Sequence, residues 1–163
     1  MIDHRKVWLI ESFSQGSVLN VGCGGLKIPS ALNLDLKRNH KPDLVADVSH
    51  LPFRSSVFNT AIAFDVIEHL DQPEKFLSEI ERVSRTVVVE CLNFDSTPEN
   101  WKTDPTHRFY INNTTFRRLL RNYKIFELNK MLVAVKGRKI VVPKLNFKLW
   151  RIKKIASKSI HTK

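Results

Sequence analysis

Short apolar runs alternate with amphipathic stretches along most of the chain. The runs are rich in branched apolar residues and end at glycine or acidic residues, which is typical of buried parallel strands. They predict five strands, at residues 17–21, 31–36, 42–47, 57–64 and 86–92. Apolar residues spaced three or four apart predict helices at residues 3–13 and 72–83, and a third that Thr114 caps and that continues to residue 121.

The remaining pattern indicates the fold class. Two further apolar runs, at residues 125–129 and 131–136, flank Asn129-Lys130 and predict an antiparallel hairpin. Strands that alternate with helices and finish in such a hairpin indicate an α/β sheet with a mixed edge. Residues 93–113 have no apolar periodicity and predict a long loop, which in a compact domain is usually functional or mobile.

The connection between the first two predicted strands is unusually short. Only residues 22–30 lie between them, which is at or below the minimum for a full strand–helix–strand crossover. Pro29 also disfavours a long helix in this segment. We therefore expect the first crossover helix to be very short or absent.

Candidate ligand-binding residues follow the first three predicted strands. Glycines within residues 22–25 follow the first strand, and Asp35 and Asp47 end the next two. Ligands of open α/β sheets bind at the carboxyl ends of the strands. Glycines let the backbone approach a ligand closely, Asp35 can accept hydrogen bonds from both hydroxyls of a ribose, and Asp47 can accept one from the amine of adenine. Together these residues predict an adenosine site.

Adenosine cofactors with and without phosphate groups need different binding sites, which allows the sequence to distinguish between them. A dinucleotide or ATP site uses a helix N-terminus and loop amides. Here the first helix is nearly missing, and the chain has no G-x-x-x-x-G-K-[ST] motif. A phosphate-free adenosine fits better, and we predict S-adenosylmethionine (SAM) as the cofactor.

Four motifs then occur in a recognisable order and spacing. They are Val18–Gly25, Asp35, Asp47–Phe53 and Phe58–Leu70. Over roughly residues 15–137 they make the chain resemble the class I SAM-dependent methyltransferases, specifically the type 11 methyltransferase domain family. The resemblance implies a Rossmann-like, mostly parallel sheet of seven strands in the order 3-2-1-4-5-7-6, with a terminal antiparallel hairpin and a shortened first crossover. We assign residues 1–142 to this domain.

The resemblance also implies which residues contact the cofactor. Gly22 and Gly24 would pass beside its methionyl part, and Asp65 would lie near the methionyl end. The full predicted set is Asn20, Gly22, Cys23, Gly24, Gly25, Asp35, Leu36, Asp47, Val48 and Asp65. Two positions depart from the family's pattern, because Asn20 replaces the acid before the first glycine and Leu26 replaces the third glycine.

Three residues are candidates for catalysis. Glu68 and His69 follow the fourth predicted strand, and His107 lies on the long loop where a substrate lid would be. Histidine can exchange a proton near neutral pH, so His107 is a candidate general base. A structural role remains open for all three. The sequence shows no metal-ligand cluster, and we predict no metal.

The positive charge is concentrated at the C-terminal end. Residues 101–163 contain 17 of the 27 Lys and Arg residues but only two of the 16 acids. Within them, residues 143–159 predict a basic amphipathic helix, and we assign 143–163 to a separate tail. The tail could pack on the domain, bind an anionic membrane surface or bind RNA phosphates.

Composition also bears on location. The chain has two cysteines, which is too few for a disulfide framework, and it lacks an apolar stretch that could span a membrane. We expect a cytoplasmic protein, which the basic tail could bring to the inner membrane face.

Three functions are compatible with the sequence. The first is a SAM-dependent methyltransferase that acts on an oxygen or nitrogen of a small molecule, a sugar or a lipid-linked glycan. The second is an RNA methyltransferase that uses the basic C-terminal third. The third is a SAM-binding protein or partner subunit without activity, which the departures at Asn20 and Leu26 suggest.

Overall fold

The computed structural model describes residues 3–137 of the chain. The helices in this range are α1 (His4–Phe13), α2 (Pro73–Val83), α3 (Pro98–Thr103) and α4 (Asn113–Leu119). The strands are β1 (Val18–Val21), β2 (Ala31–Asp35), β3 (Leu44–Val45), β4 (Phe58–Phe64), β5 (Ser84–Leu92), β6 (Lys124–Leu128) and β7 (Met131–Lys136). The tail predicted at residues 143–163 lies outside the described residues, so its helix and its partners stay predictions.

The strands of the described range form one sheet in the order β3-β2-β1-β4-β5-β7-β6. Strands β1 to β5 are parallel to one another, whereas β7 is antiparallel to both β5 and β6. The predicted fold class and strand order are confirmed. Strands β2 and β3 lie on one side of β1, whereas β4 and β5 lie on the other. The strand order therefore reverses between β1 and β4, and the carboxyl ends of these two strands border the crevice where such folds bind ligands.

Helices cover both faces of the sheet. Successive residues of β4 point to opposite faces, so that Ala61 and Ala63 belong to the cluster beneath α2, while Ile62 and Phe64 belong to the cluster beneath α1. Phe76 of α2 is fully buried in the first cluster, where its burial stabilises the fold by roughly 1.5–3 kcal/mol. The sheet is thus held rigidly from both sides.

The sequence predicted most of these elements closely. The helices at 3–13 and 72–83 and the terminal hairpin are confirmed within about two residues. No helix lies between β1 and β2, as the short spacing predicted.

Strand β3 is much shorter than the six residues predicted at 42–47. Only Leu44–Val45 pair with β2. The ladder is interrupted because the amide of Asn33 donates to the side chain of Asp43, at 2.8 Å, instead of to a backbone carbonyl. Pro42, which has no amide hydrogen, precedes this point.

The segment at 93–113 is also more structured than predicted, because it contains α3. The cap of the next helix is Asn112, and the prediction of Thr114 was wrong. The side chain of Asn112 accepts a hydrogen bond from the amide of Thr115 at 2.9 Å, and the hydroxyl of Thr115 accepts one from the amide of Asn112 at 2.8 Å. This reciprocal pair satisfies two amides that an uncapped helix would leave free.

Candidate active site

The glycine loop that follows β1 contains two residues in the left-handed region. Gly22 has a φ of +63°, and a Cβ placed on it would lie 2.6 Å from the side chain of Val66. Gly24 has a φ of +49°, but a Cβ there would meet no atom within 4 Å. Gly22 is therefore required by packing inside the protein, whereas Gly24 borders open space at the crevice, as Gly25 also does.

Asp35 fixes this loop from the end of β2. Its Oδ2 accepts a hydrogen bond from the amide of Gly24 at 2.7 Å, and its Oδ1 accepts one from the amide of Lys37 at 2.8 Å. The ring of His40 lies 3.2 Å from Oδ1. Burial acts to raise the pKa of Asp35, but the amides of Lys37 and Gly24 and the His40 ring together lower it below its ordinary value. Asp35 is therefore an anchored carboxylate beside the loop.

A buried polar network takes the place of the missing crossover helix. Asn20 and Asn33 lie side by side in the parallel register of β1 and β2, and the amide group of Asn20 donates to the side-chain oxygen of Asn33 at 2.9 Å. Asn20 also donates to the carbonyl of Leu26 at 2.7 Å, and Asn33 accepts from the amide of Ile28 at 2.9 Å. Asn20, which we predicted as a cofactor contact, thus holds the crossover itself.

The sequence analysis missed Asn33 and its partner Asp43. A signal was present, because Leu-Asn-x-Gly at the end of β1 and Leu-Asn-x-Asp at the end of β2 place an asparagine at the same position in two neighbouring parallel strands. Adjacent amide side chains in a buried register can satisfy each other's hydrogen bonds. The pattern therefore indicated a structural pair.

Three predicted residues follow the ends of β2 and β3, namely Leu36 after β2 and Asp47 and Val48 after β3. Leu36 is 65% exposed, which is unusual for a leucine beside a strand of a compact domain. The carboxylate of Asp47 is half-exposed and accepts a hydrogen bond from the amide of Ser49 at 2.8 Å, while Val48 is buried. An exposed apolar side chain near a half-exposed carboxylate offers a purine a surface for its face and an acceptor for its amine.

Cys23 lies on the loop but is buried. Its sulfur is 2.9 Å from the Nζ atom of Lys27, and its amide donates to the carbonyl of Leu34. These contacts anchor the loop to β2.

Charged residues gather at the ends of β4 and β5. Lys6 of α1 pairs with the carboxylate of Asp65, and its Nζ atom lies 3.8 Å from an oxygen of Glu90. Neither carboxylate oxygen of Glu90 has a hydrogen-bond partner, and burial, together with Asp65, raises its pKa well above the ordinary value. Burial alone would lower the pKa of Lys6, but Glu90 and Asp65 raise it, so Lys6 stays charged. These contacts link helix α1 to the ends of β4 and β5.

The three predicted catalytic residues come together beside this group. The amides of Arg108 and Phe109 donate to the backbone carbonyl of Glu68 at 2.8 and 3.0 Å, which draws the 93–113 segment onto the turn after β4. As a result the rings of His69 and His107 have centroids 4.9 Å apart. Glu68 is buried, and its burial, with a smaller contribution from Asp65, raises its pKa to about 8.

Comparison with known families bears on what this crevice does. Residues 27–86 match the family model described as "Methyltransferase domain". The matched residues include β2, β3, β4 and α2. No curated protein sequence matches the chain.

Solved structures of methyltransferases share the fold of this chain. A SAM-dependent methyltransferase from Thermotoga maritima is 17% identical, with 83% of this chain and 91% of that chain covered and a TM-score of 0.60. The small RNA methyltransferase HEN1 is 16% identical and has a TM-score of 0.63, over 87% of this chain and 26% of that chain. A chain from the complex between the Haloferax volcanii Trm112 methyltransferase activator and a methyltransferase is 14% identical. The match covers 85% of this chain and 90% of that chain, with a TM-score of 0.64. These findings support the predicted family, fold and SAM cofactor.

The part of the chain that the structure describes has no helix long and apolar enough to cross a membrane.

The residues present fit an adenosyl cofactor. The open space beside Gly24 is a cradle that a side chain there would begin to fill. A carboxylate has about four acceptor positions, and Asp35 accepts hydrogen bonds from two amides, which leaves a position on Oδ2. The exposed side chain of Leu36 is directly next to it in sequence.

Proposed function

We propose that this domain is a SAM-dependent methyltransferase that methylates an oxygen or nitrogen of a small molecule, a sugar or a lipid-linked glycan. The observation that carries the proposal is the hydrogen bond from the Gly24 amide to Asp35, since it fixes an open glycine loop against a strand-end carboxylate. This arrangement suits a ribose and an uncharged thioether or sulfonium chain better than a diphosphate.

Each predicted cofactor residue has a proposed role. Asp35 would hold the ribose through its remaining acceptor position, and Asp47 would accept from the adenine amine. Leu36 and Val48 would contact the purine face. Gly22, Cys23, Gly24 and Gly25 would shape the loop beside the methionyl part, with Asn20 fixing the loop from below.

The proposed role of Asp65 goes beyond a direct contact between its carboxylate and the cofactor. Its carboxylate is already paired with Lys6, and its φ of +52° is a strained conformation for a residue other than glycine. We propose that Asp65 and Lys6 together define the methionyl end and keep α1 over it.

The acceptor side would be formed by Glu68, His69 and His107. When bound, SAM supplies a methyl group that is already activated by a sulfonium, so that the protein mainly has to position the acceptor and handle its proton. The rings of His69 and His107, with centroids 4.9 Å apart, lie close to the buried carboxylate of Glu68. They could orient the hydroxyl or amine of the methyl acceptor. In this role one histidine accepts the acceptor's proton.

RNA is the second candidate acceptor. It is favoured by the 17 basic residues within 101–163 and by the similarity in fold to HEN1, which is a small RNA methyltransferase. Phosphate contacts from such a basic segment would make binding strongly dependent on salt.

The test is transfer of a labelled methyl group. Full-length protein is incubated with methyl-labelled SAM and with separate cell fractions that contain small molecules, lipid-linked glycans or RNA. We expect label in the small-molecule or glycan fraction together with S-adenosylhomocysteine. Label that enters the RNA fraction and is lost after ribonuclease treatment would instead establish the second candidate, and tight SAM binding without transfer to any fraction would favour a non-catalytic subunit.

A further inference from the structure

The acceptor side of the crevice contains a buried carboxylate with an unused oxygen. The side chain of Glu68 is 2% exposed, and its Oε2 atom has no hydrogen-bond partner. Leaving a buried carboxylate oxygen without a partner is costly unless another group compensates it. This oxygen therefore leaves a position at which a further group, such as a metal ion, could bind.

The two neighbouring histidines are oriented through their Nδ1 atoms. Nδ1 of His69 lies 3.3 Å from the carbonyl oxygen of Thr106, and Nδ1 of His107 lies 3.4 Å from the carbonyl oxygen of Trp101. Because a carbonyl oxygen only accepts hydrogen bonds, these contacts favour the tautomer with the proton on Nδ1. Such a contact from one ring nitrogen to a backbone carbonyl is the usual arrangement around a metal-binding histidine, and it leaves Nε2 with a lone pair.

Other contacts also hold the rings in place. The ring of His107 stacks on Trp101, with centroids 5.4 Å apart and an interplanar angle of 7°. The hydroxyl of Thr106 lies 3.0 Å from Nδ1 of His69 and donates to Asp104 at 2.6 Å. Asp104 is 3.8 Å from Nε2 of His107, which is beyond hydrogen-bond distance. The rings are thus preorganised without occupying their second nitrogen.

Glu68, His69 and His107 each offer one ligand atom, and these atoms lie within 4.8 Å of one another. Ligand atoms on one ion lie closer together than this upper limit, so a shift of the Glu68 side chain would bring its oxygen toward the two held rings on binding. Asp65 and Asp104 add negative charge nearby. Two imidazoles and one carboxylate are donors that suit Mn²⁺, Fe²⁺, Co²⁺ or Zn²⁺ better than Ca²⁺.

We propose that Glu68, His69 and His107 form a binding site for one divalent transition-metal ion. Three protein ligands leave positions open for an acceptor oxygen, as in other metal sites that act on a substrate. The sequence predicted no metal, and the proposal differs from that prediction because His107 lies on a segment distant from Glu68 and His69 in sequence. Binding of the ion rests on these side chains alone, and only its use on a methyl acceptor rests on the proposed function. With the ion bound, the histidines would be ligands and not bases, and the ion would instead lower the pKa of the acceptor's hydroxyl.

The test is a metal titration of the full-length, untagged protein after removal of metals with a chelator. Co²⁺ is added while the visible absorption of the cobalt centre is recorded, and Mn²⁺ and Zn²⁺ are titrated by calorimetry. We expect one ion per chain, with affinity reduced at least tenfold in Glu68→Gln and in His69→Asn. His4→Asn, which changes an exposed histidine on α1, should bind as the wild type does. Unchanged affinity in both site variants, or no binding below millimolar metal, would overturn the proposal.

Two controls separate this inference from the proposed function. Thermal unfolding followed by circular dichroism without metal shows whether each variant is folded, and His107→Gln serves if Glu68→Gln is not. SAM binding is measured in the presence of a chelator. SAM binding without metal binding would refute the metal site alone, whereas metal binding without SAM binding would refute the proposed function alone.

Discussion

Replacing Asp35 by alanine is the most informative single change in the cofactor site. The substitution removes a carboxylate that accepts hydrogen bonds from the amides of Gly24 and Lys37, at 2.7 and 2.8 Å. It leaves the Gly24 amide, which is half-buried, without its partner. We expect losses in both stability and cofactor affinity.

The size of the stability loss follows from these contacts. A hydrogen bond to a charged group contributes about 1.5–3 kcal/mol. Lys37 is exposed, so water can replace its bond, and the loss is dominated by the Gly24 amide. The free energy of unfolding should therefore fall by about 2 kcal/mol. If Asp35 also binds the ribose, SAM affinity should fall roughly tenfold to a hundredfold.

Asp43→Ala is the matched control. Asp43 also accepts hydrogen bonds from β2, through the backbone and side chain of Asn33, but it lies away from the carboxyl end of the strand. This variant should lose stability and keep its affinity for SAM. Urea denaturation and calorimetry with SAM and S-adenosylhomocysteine measure the two quantities. Equal losses of affinity in Asp35→Ala and Asp43→Ala, or none in either, would refute the assignment of Asp35 to the ribose.

The stability difference should also depend on pH. The pKa of Asp35 is lowered in the folded protein, so its contribution to stability is present above the pKa of an unfolded aspartate. It is lost as the pH falls through the folded-state pKa. The wild type and Asp35→Ala should therefore converge in stability in acid, and a difference that grows in acid would contradict this reasoning.

Two further predictions concern the loop and the buried acid. Gly22→Ala should lower the free energy of unfolding by about 2–4 kcal/mol and Gly24→Ala by about 1 kcal/mol, since both have positive φ but only the first collides with Val66; equal losses in urea denaturation would contradict the packing. Glu90→Gln should stabilise the protein by about 1–3 kcal/mol at pH 8. The pKa of the buried Glu90 is raised in the folded protein, so this acid lowers the stability once the pH rises above the pKa that Glu90 has in the unfolded chain. The gain should shrink toward pH 4.5, and a gain that is larger in acid would refute the assignment.

The sheet could be predicted well from the sequence because each strand is marked by residues within the strand itself or directly after it. Each buried parallel strand is an apolar run, and the glycines and acids that end the runs mark one edge of the sheet. The short crossover was also predictable, because length alone excludes a helix between β1 and β2.

Contacts between distant segments could not be predicted in the same way. The pairing of Asn20 with Asn33 depends on the register of two strands, and the approach of His107 to Glu68 depends on amides of residues 108 and 109 that donate to a carbonyl far away in sequence. The cap at Asn112 was missed because Asn112, Asn113 and Thr114 are all common capping residues. Only the geometry distinguishes them.

The central claim is that the glycine loop and Asp35 hold an adenosyl cofactor. The most direct measurement is a titration of isotopically labelled protein with S-adenosylhomocysteine, followed by NMR of the assigned backbone amides. We predict that the largest shifts occur at Gly22, Gly24, Leu36 and Val48, and that amides at the opposite edge of the sheet, such as that of Lys136, stay unchanged. Shifts that cluster elsewhere, or no shifts at millimolar ligand, would contradict the claim.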